Sequence, residues 1–331
     1  MAPLAAADYL AERTQVDGFE AVRLVDRRND VEVYVLTGVG NNAYRMSVRG
    51  TNILWSPFKT LYEWKEKPAY FGNPLLSPWA NRIDGDAYFA NGKRYVLNPH
   101  LGNFRRDRHE KPLHGVLAYA PWELKSVAAD SSGAVLVSRL EFWRQPDWMA
   151  QFPFAHALEV THRLRDGALE IETVVENLSS EPMPVSLGYH PYFQVSDAPR
   201  DEWAIHLPAR KHVRTTEELI PTGEIEPNTL ADPLPLAGVQ LDDGFVDLER
   251  GPDGRAVFWL QGRKQRVLVE FGPEYPVAVV FAPPGRGFVC FEPMTAVTNA
   301  FNLAHAGRLP IPSIPPGQRF RASFRIRTEG F

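Results

Sequence analysis

His156-Ala-Leu-Glu-Val-Thr-His-Arg-Leu-Arg-Asp-Gly-Ala-Leu-Glu-Ile-Glu-Thr-Val-Val-Glu-Asn-Leu178 is the stretch that decides the fold. Apolar and polar residues alternate on both sides of Asp166-Gly167, and a period of two places successive side chains on opposite faces of a sheet. Asp-Gly is the strongest short signal for a two-residue hairpin turn, so 156–164 and 168–178 are predicted as paired antiparallel strands.

The same alternation recurs along the chain. Val31–Leu36 and Ala43–Arg49 flank the turn-prone Gly38-Val-Gly-Asn-Asn42, and Ala134–Trp143 alternates for most of its length. Further strands are expected at 256–260, 266–271, 277–282, 288–291 and 320–327. Helical signal is brief: Ala7–Arg13 reads as one or two turns, and Asn299–Ala306 as a short helix ended by Gly307. The 29 prolines and 24 glycines fall mostly between the strands, where they punctuate loops. Long loops are expected around 197–200 and 221–238. No repeat or linker divides the chain, which predicts one all-β domain over 1–331, a large antiparallel two-sheet β-sandwich with very little helix.

Composition narrows the function classes. The 331 residues are 44% hydrophobic and 23% charged, as in an ordinary soluble globular protein. A net charge of −4 provides no basic field for nucleic acid or anionic membrane. The single cysteine, Cys290, excludes an internal disulfide and suits a reducing compartment. The opening MAPLAAADYLAERT lacks the basic and apolar regions of a signal peptide, and no run approaches the ~18 apolar residues of a membrane helix. A cytoplasmic protein, monomeric or homodimeric, is expected.

No phosphate-binding glycine loop opens a helix, so nucleotide chemistry is disfavoured. His156 and His162 share one strand face, as do His206 and His212 if that stretch is extended, but six residues separate each pair. That spacing is too long for two imidazoles on a straight strand to share a metal ion, so no metal is expected. Cys290 lies in the apolar run 288–291, where a buried thiol is inert.

Four stretches carry candidate chemistry: Ser77-Pro-Trp-Ala-Asn-Arg-Ile83, Pro112-Leu-His-Gly115, Leu187-Gly-Tyr-His-Pro-Tyr-Phe193 and Phe288-Val-Cys-Phe-Glu-Pro-Met-Thr295. Each sets a hydrogen-bonding group among aromatic, glycine or proline neighbours. A sugar site needs that mixture, because a pyranose has apolar C–H faces and a polar edge. His190 and Glu292 both follow apolar strands and immediately precede proline, which biases their backbones to extended geometry. A side chain at a strand end is held by the sheet while it faces a cleft. The plainer reading is that proline ends each strand and Glu292 is a solvated carboxylate. Arg82, between Trp79 and Ile83, is expected to be partly buried and therefore partnered.

Taken together and in order, these stretches resemble the aldose 1-epimerase (galactose mutarotase) family from about Phe71 to Asn302. The similarity rests on Asn81-Arg82, Leu113-His-Gly115, Gly188-Tyr-His-Pro-Tyr-Phe193 and Phe291-Glu-Pro293, with Leu241-Asp-Asp-Gly-Phe245 similar to the family's Asp-x-x-Phe segment. The resemblance implies a β-supersandwich and a cofactor-free interconversion of the α and β anomers of an aldohexose. It implies His190 as general acid and Glu292 as general base. Asn81, Arg82, His114, Tyr192 and Asp242 would bind or polarise the sugar, with Asp243 the alternative to Asp242.

The sequence departs from the family after His114-Gly115, where Val116-Leu-Ala-Tyr119 lacks a further glycine. Arg105, Arg106, Arg108, His109 and Lys111 crowd the preceding loop, and either lie solvated or hold the phosphate of a hexose 6-phosphate. Two rivals remain: a sugar-binding protein of the same fold without catalysis, and a glycosidase using Asp242 and Glu292, in which His190 has no role.

Overall fold

The computed structural model describes residues 8–331. It is built from three large antiparallel sheets with three six-residue helices, Leu61–Glu66, Pro146–Gln151 and Ala300–His305. The hairpin is present as His156–Arg165 paired with Ala168–Asn177. Along the second strand every alternate residue from Leu169 to Asn177 is buried.

This hairpin sits inside a nine-stranded sheet ordered 123–130, 133–141, 156–165, 168–177, 319–329, 266–271, 256–261, 204–206 and 234–235. Its inward row runs Leu136, His162, Ile171, Phe324 and Phe271, each directly opposite the next. The outward face carries cross-strand ion pairs such as Arg255 with Glu170 and Arg139 with Glu176. Opposite charges across a pair add a few tenths of a kcal/mol each, while the buried inner rows provide most of the stabilisation.

The second sheet runs 221–227, 209–215, 241–248, 277–282, 289–294, 188–189 and 75–76, with 192–193 also paired to 289–294. A five-stranded sheet over residues 9–52 completes the fold. Leu24 and Val33 from it, Ile171 and Phe324 from the nine-stranded sheet, and Phe245, Val280 and Phe291 from the second sheet share one apolar core. Tyr9 and Asp26 clamp the hairpin tip: Tyr9 bonds to Asp166 at 3.3 Å, and the Gly167 N–H donates to Asp26 at 2.7 Å.

Several expectations change. Tyr9–Val16 is an edge strand rather than helical turns, since its partner 19–26 draws it into the sheet; Ala7 lies outside the described residues. The expected loop at 221–238 holds strands 221–227 and 234–235. His206 and His212 stand in different sheets. Pro293 does not end its strand but lies within Val289–Met294.

His162 is fully buried with neither ring nitrogen partnered, and burial pushes its pKa from 6.5 down to about 3. Above pH 6.5 neither folded nor unfolded chain is protonated there. As pH falls below 6.5 the unfolded chain gains a proton that the folded one refuses, so stability falls until about pH 3. The contribution is about 2 kcal/mol between pH 7 and 5. His162→Leu should flatten the pH dependence of urea-unfolding free energy by about that amount; an unchanged slope would show that His162 titrates freely.

Candidate active site

The site is assembled on one face of the second sheet. Gly188 faces Met294 and Tyr192 faces Cys290, so the register between them sets His190 directly opposite Glu292. The His190 N–H donates instead to the Pro74 carbonyl on the far side, at 3.0 Å. His190 and Glu292 therefore form a non-hydrogen-bonded pair, the kind whose side chains approach closest. The following prolines, Pro191 and Pro293, remove the N–H groups that would otherwise bond across this stretch. Gly188 is required for the approach: a Cβ there would lie 2.8 Å from the Pro293 carbonyl oxygen.

Pairing also fixes what shares that face. Asp242 is opposite Phe281, Phe281 opposite Cys290, and Gly244 is opposite Val279, which is opposite Glu292. Alternation sends Phe245, Ala278, Val280, Phe291 and Phe193 to the other face, into the core. Asp243 also turns that way and pairs with His212 at 2.8 Å. Between the two aspartates, Asp242 is the one on the site face.

The His190 Nε2 and a Glu292 carboxylate oxygen lie 3.2 Å apart, and both side chains are almost completely buried. The other carboxylate oxygen and His190 Nδ1 have no protein partner. Burial is the main influence on both groups. It pushes His190 from 6.5 down to about 3, with the Arg82 charge adding. It raises Glu292 well above the usual carboxylate range, with Asp242 adding and Arg82 opposing. Burial thus favours the neutral form of both groups, a carboxylic acid beside a neutral imidazole.

His114 closes one side. A bridge pairs Arg82 with Leu113, and the His114 N–H donates to the Asn81 carbonyl at 2.9 Å. The Asn81 N–H donates back to His114 Nδ1 at 3.2 Å. Because Nδ1 accepts, the neutral ring carries its proton on Nε2 and offers a donor there. Burial, then the neighbouring His190, Arg82 and Arg105, hold its pKa well below 6.5. Gly115 adopts φ 68°, and a Cβ would fall 2.1 Å from the Ser77 carbonyl oxygen; glycine is the residue that fits.

Arg82 is held on three sides. It donates to Asp107 at 2.6 Å, to the Asn81 side chain at 2.9 Å and to Asp242 at 3.2 Å. Asp107 also accepts the backbone N–H groups of His109 and Lys111. Burial raises its pKa, but Arg82 and these N–H groups outweigh that and leave it lowered. The sequence reading missed Asp107, which with Glu110 is one of two acids in the basic run 105–111; its sign against that run was the available signal.

An aromatic wall surrounds the pair. His190 stacks between Tyr70, at 6.4 Å, and Tyr192, at 4.6 Å, with Trp55, Phe281 and Phe288 packed beyond. Trp55 and Tyr70 come from loops remote in sequence and carry no local motif, so they too were missed. All seven residues singled out from sequence lie in this region: His190, Glu292, His114, Asn81 and Tyr192 buried, Arg82 and Asp242 partly exposed. Among the described residues no three His, Cys, Asp or Glu side chains are grouped to hold a metal ion, and no helix is long and apolar enough to cross a membrane.

Residues 43–327 match the aldose 1-epimerase family. The chain belongs to that family. Among relatives, it is 27% identical to YihR of Escherichia coli K12 over 161 residues, 48% of this chain and 47% of YihR, so that match spans about half of the relative. It is 24% identical to YphB of the same organism over 266 residues, 77% of this chain and 82% of YphB. A galactose mutarotase-like protein from Clostridium acetobutylicum has the same fold, with a TM-score of 0.87 at 20% identity over 98% of this chain and 99% of that one. Galactose 1-epimerase from Lactobacillus acidophilus gives 0.75 at 14% identity over 98% and 100%. Membership places this aldose 1-epimerase relative among sugar-acting proteins and agrees with a site lined by aromatic faces and a few fixed polar groups.

Asp107→Ala strips Arg82 of its shortest partner and two backbone N–H groups of their acceptor. It should destabilise the protein by about 2–3 kcal/mol and speed amide exchange at His109 and Lys111. Unchanged exchange there would mean that Asp107 does not hold the loop.

Proposed function

We propose that this protein is a mutarotase that interconverts the α and β anomers of an aldohexose through His190 and Glu292. The observation that supports it best is the buried, directly facing pair, across whose contact a proton can pass. Transfer of that proton across 3.2 Å gives an ionised Glu292 beside a protonated His190. The transfer leaves the net charge of the pair unchanged; burial opposes the charge separation, and the mutual attraction of the two touching groups offsets part of that cost.

From that state Glu292 takes the proton of the C1 hydroxyl. The electron pair forms the C1–O1 carbonyl as the C1–O5 bond breaks, and O5 takes the proton of His190. The aldehyde turns about C1–C2, and closure on its other face reverses both transfers. Each positioned acid or base is worth ~10²–10⁴ in rate. Asn81, Arg82, His114, Tyr192 and Asp242 orient the sugar: the His114 Nε2–H donates to a sugar oxygen, and Asp242, tied to Arg82, accepts from a hydroxyl. The proposed steps make and break the C1–O5 bond and move protons with no net change of oxidation state, so no redox cofactor has a step to perform.

Glu292→Gln and His190→Asn should each slow mutarotation of freshly dissolved α-glucose or α-galactose by ~100-fold or more while circular dichroism stays native. Polarimetry reads this directly, and near-normal rates in either variant would overturn the assignment.

The pH profile gives a second check. A second proton inactivates the pair only when His190 itself takes it up, which burial delays to about pH 3. The kcat/KM of the free enzyme should therefore stay level as pH falls through 6.5 to about 5. An acid limb at or above 6.5 would place the titrating imidazole in a solvated setting and contradict the buried pair.

A further inference from the structure

The row of residues that begins with the acid–base pair continues across the second sheet. Glu292 is followed by Val279, Gly244 and Val213, each opposite the next and all on the site face. Gly244 leaves a gap in that row. A Cβ there would meet the Val213 Cβ at 3.5 Å, an ordinary contact, and the backbone at 244 is not left-handed. The strand would therefore accept a side chain, and its absence is what opens a recess over Val279, Gly244 and Val213. Arg82 and Asp242 line the polar side of this recess. Its free volume is about 20 Å³, room for the centre of one water-sized group.

Leu219 lines the apolar side. It lies in the turn between strands 209–215 and 221–227 with φ 60°, a left-handed conformation that bulky side chains avoid because Cβ crowds the backbone. The turn enforces it: the Leu219 N–H donates to the Thr216 carbonyl at 3.0 Å, and the Thr216 N–H to the Ile220 carbonyl at 2.9 Å. Two cations fix the turn to its surroundings. Lys111 pairs with Glu218 at 2.8 Å, and Arg308 donates to the Thr222 carbonyl. Glycine or asparagine would suit the backbone at 219 better. An apolar side chain is kept there at a cost in strain, and strain of this kind concentrates where ligands are held.

The recess adjoins the pair. Val279 is directly opposite Glu292, and the charges of Asp242 and Arg82 both act on the Glu292 carboxyl. With His190 at O5 and Glu292 at the C1 hydroxyl, the sugar ring continues from C1 to C2 away from O5. The row runs the same way, from Glu292 over Val279 to Gly244, so the substituent on C2 meets the recess.

We infer that Leu219 is a specificity-determining residue that closes the sugar site beyond C2, restricting substrates to aldoses with an unsubstituted 2-hydroxyl. This rests on the mutarotase reading above and deepens it. One water-sized space takes a hydroxyl, whose proton Asp242 accepts. A 2-acetamido group carries several further heavy atoms against Leu219 and Val213, and overfilling a closed apolar space is unfavourable.

The test compares glucose and galactose, each with its 2-acetamido counterpart, in the full-length protein, Leu219→Gly and Leu219→Asn. Anomer exchange is followed by NMR and corrected for the uncatalysed rate of each sugar. Both replacements suit a φ of 60°, so the turn is kept and circular dichroism should stay native. The unaltered protein should favour the parent sugar over its acetamido form by about 100-fold or more in kcat/KM. In both variants the ratio of acetamido to parent kcat/KM should rise by about ten-fold or more; a merely structural role would lower both sugars together and leave the ratio in place. Comparable turnover of an acetamido sugar and its parent by the unaltered protein, or a ratio unmoved in both variants, would overturn the inference and leave the mutarotase reading standing. Acceleration of none of the four sugars would overturn both.

Discussion

The site depends on the register between the segment 188–193 and the strand Val289–Met294, which sets an imidazole opposite a carboxylate on the face turned away from the core. Two strands paired one residue out of step would send one of these groups into the apolar layer of Phe291 and Phe193. Several local features guard that register. Gly188 lets the strands close, Pro191 and Pro293 withhold the N–H groups that could bond in a shifted pairing, and Pro74 takes the His190 N–H from the other side. The chemistry is placed by sheet geometry rather than by a flexible loop, the condition for holding an acid–base pair at fixed distance.

Burial then decides the electrostatics. A histidine and a glutamate in water would both be charged at mildly acidic pH; here both are driven toward their neutral forms. The cost of two buried charges is avoided while the proton that matters is retained. Charge is handled at the rim instead, where Arg82 is divided between Asp107 and Asp242, and Arg105 rests on Tyr70 and Tyr119.

Much of this was legible in the sequence. Alternation about Asp166-Gly167 announced the central hairpin, and the X-Pro setting of His190 and Glu292 marked them as a matched pair. The choice between Asp242 and Asp243 was not legible, because it turns on which strand face meets the site; pairing with Phe281 puts Asp242 on the face that carries Glu292 and leaves Asp243 on the other. The plainer reading of Glu292 as a solvated terminal residue fails, since Pro293 continues the strand and the carboxylate is buried. Asp107, Trp55 and Tyr70 stayed hidden because their importance arises from contacts made across long sequence separations, which local pattern does not encode. The edge strand at Tyr9–Val16 was misread for the same reason: its partner, not its own propensity, determines it.

The central claim is that one buried pair faces the two oxygens of an anomeric centre. A crystal structure with a bound aldose tests it most directly. His190 Nε2 is expected near the ring oxygen and a Glu292 oxygen near the C1 hydroxyl, each within about 2.6–3.2 Å. A sugar bound in the aromatic cleft with its anomeric carbon turned away from both groups would contradict it.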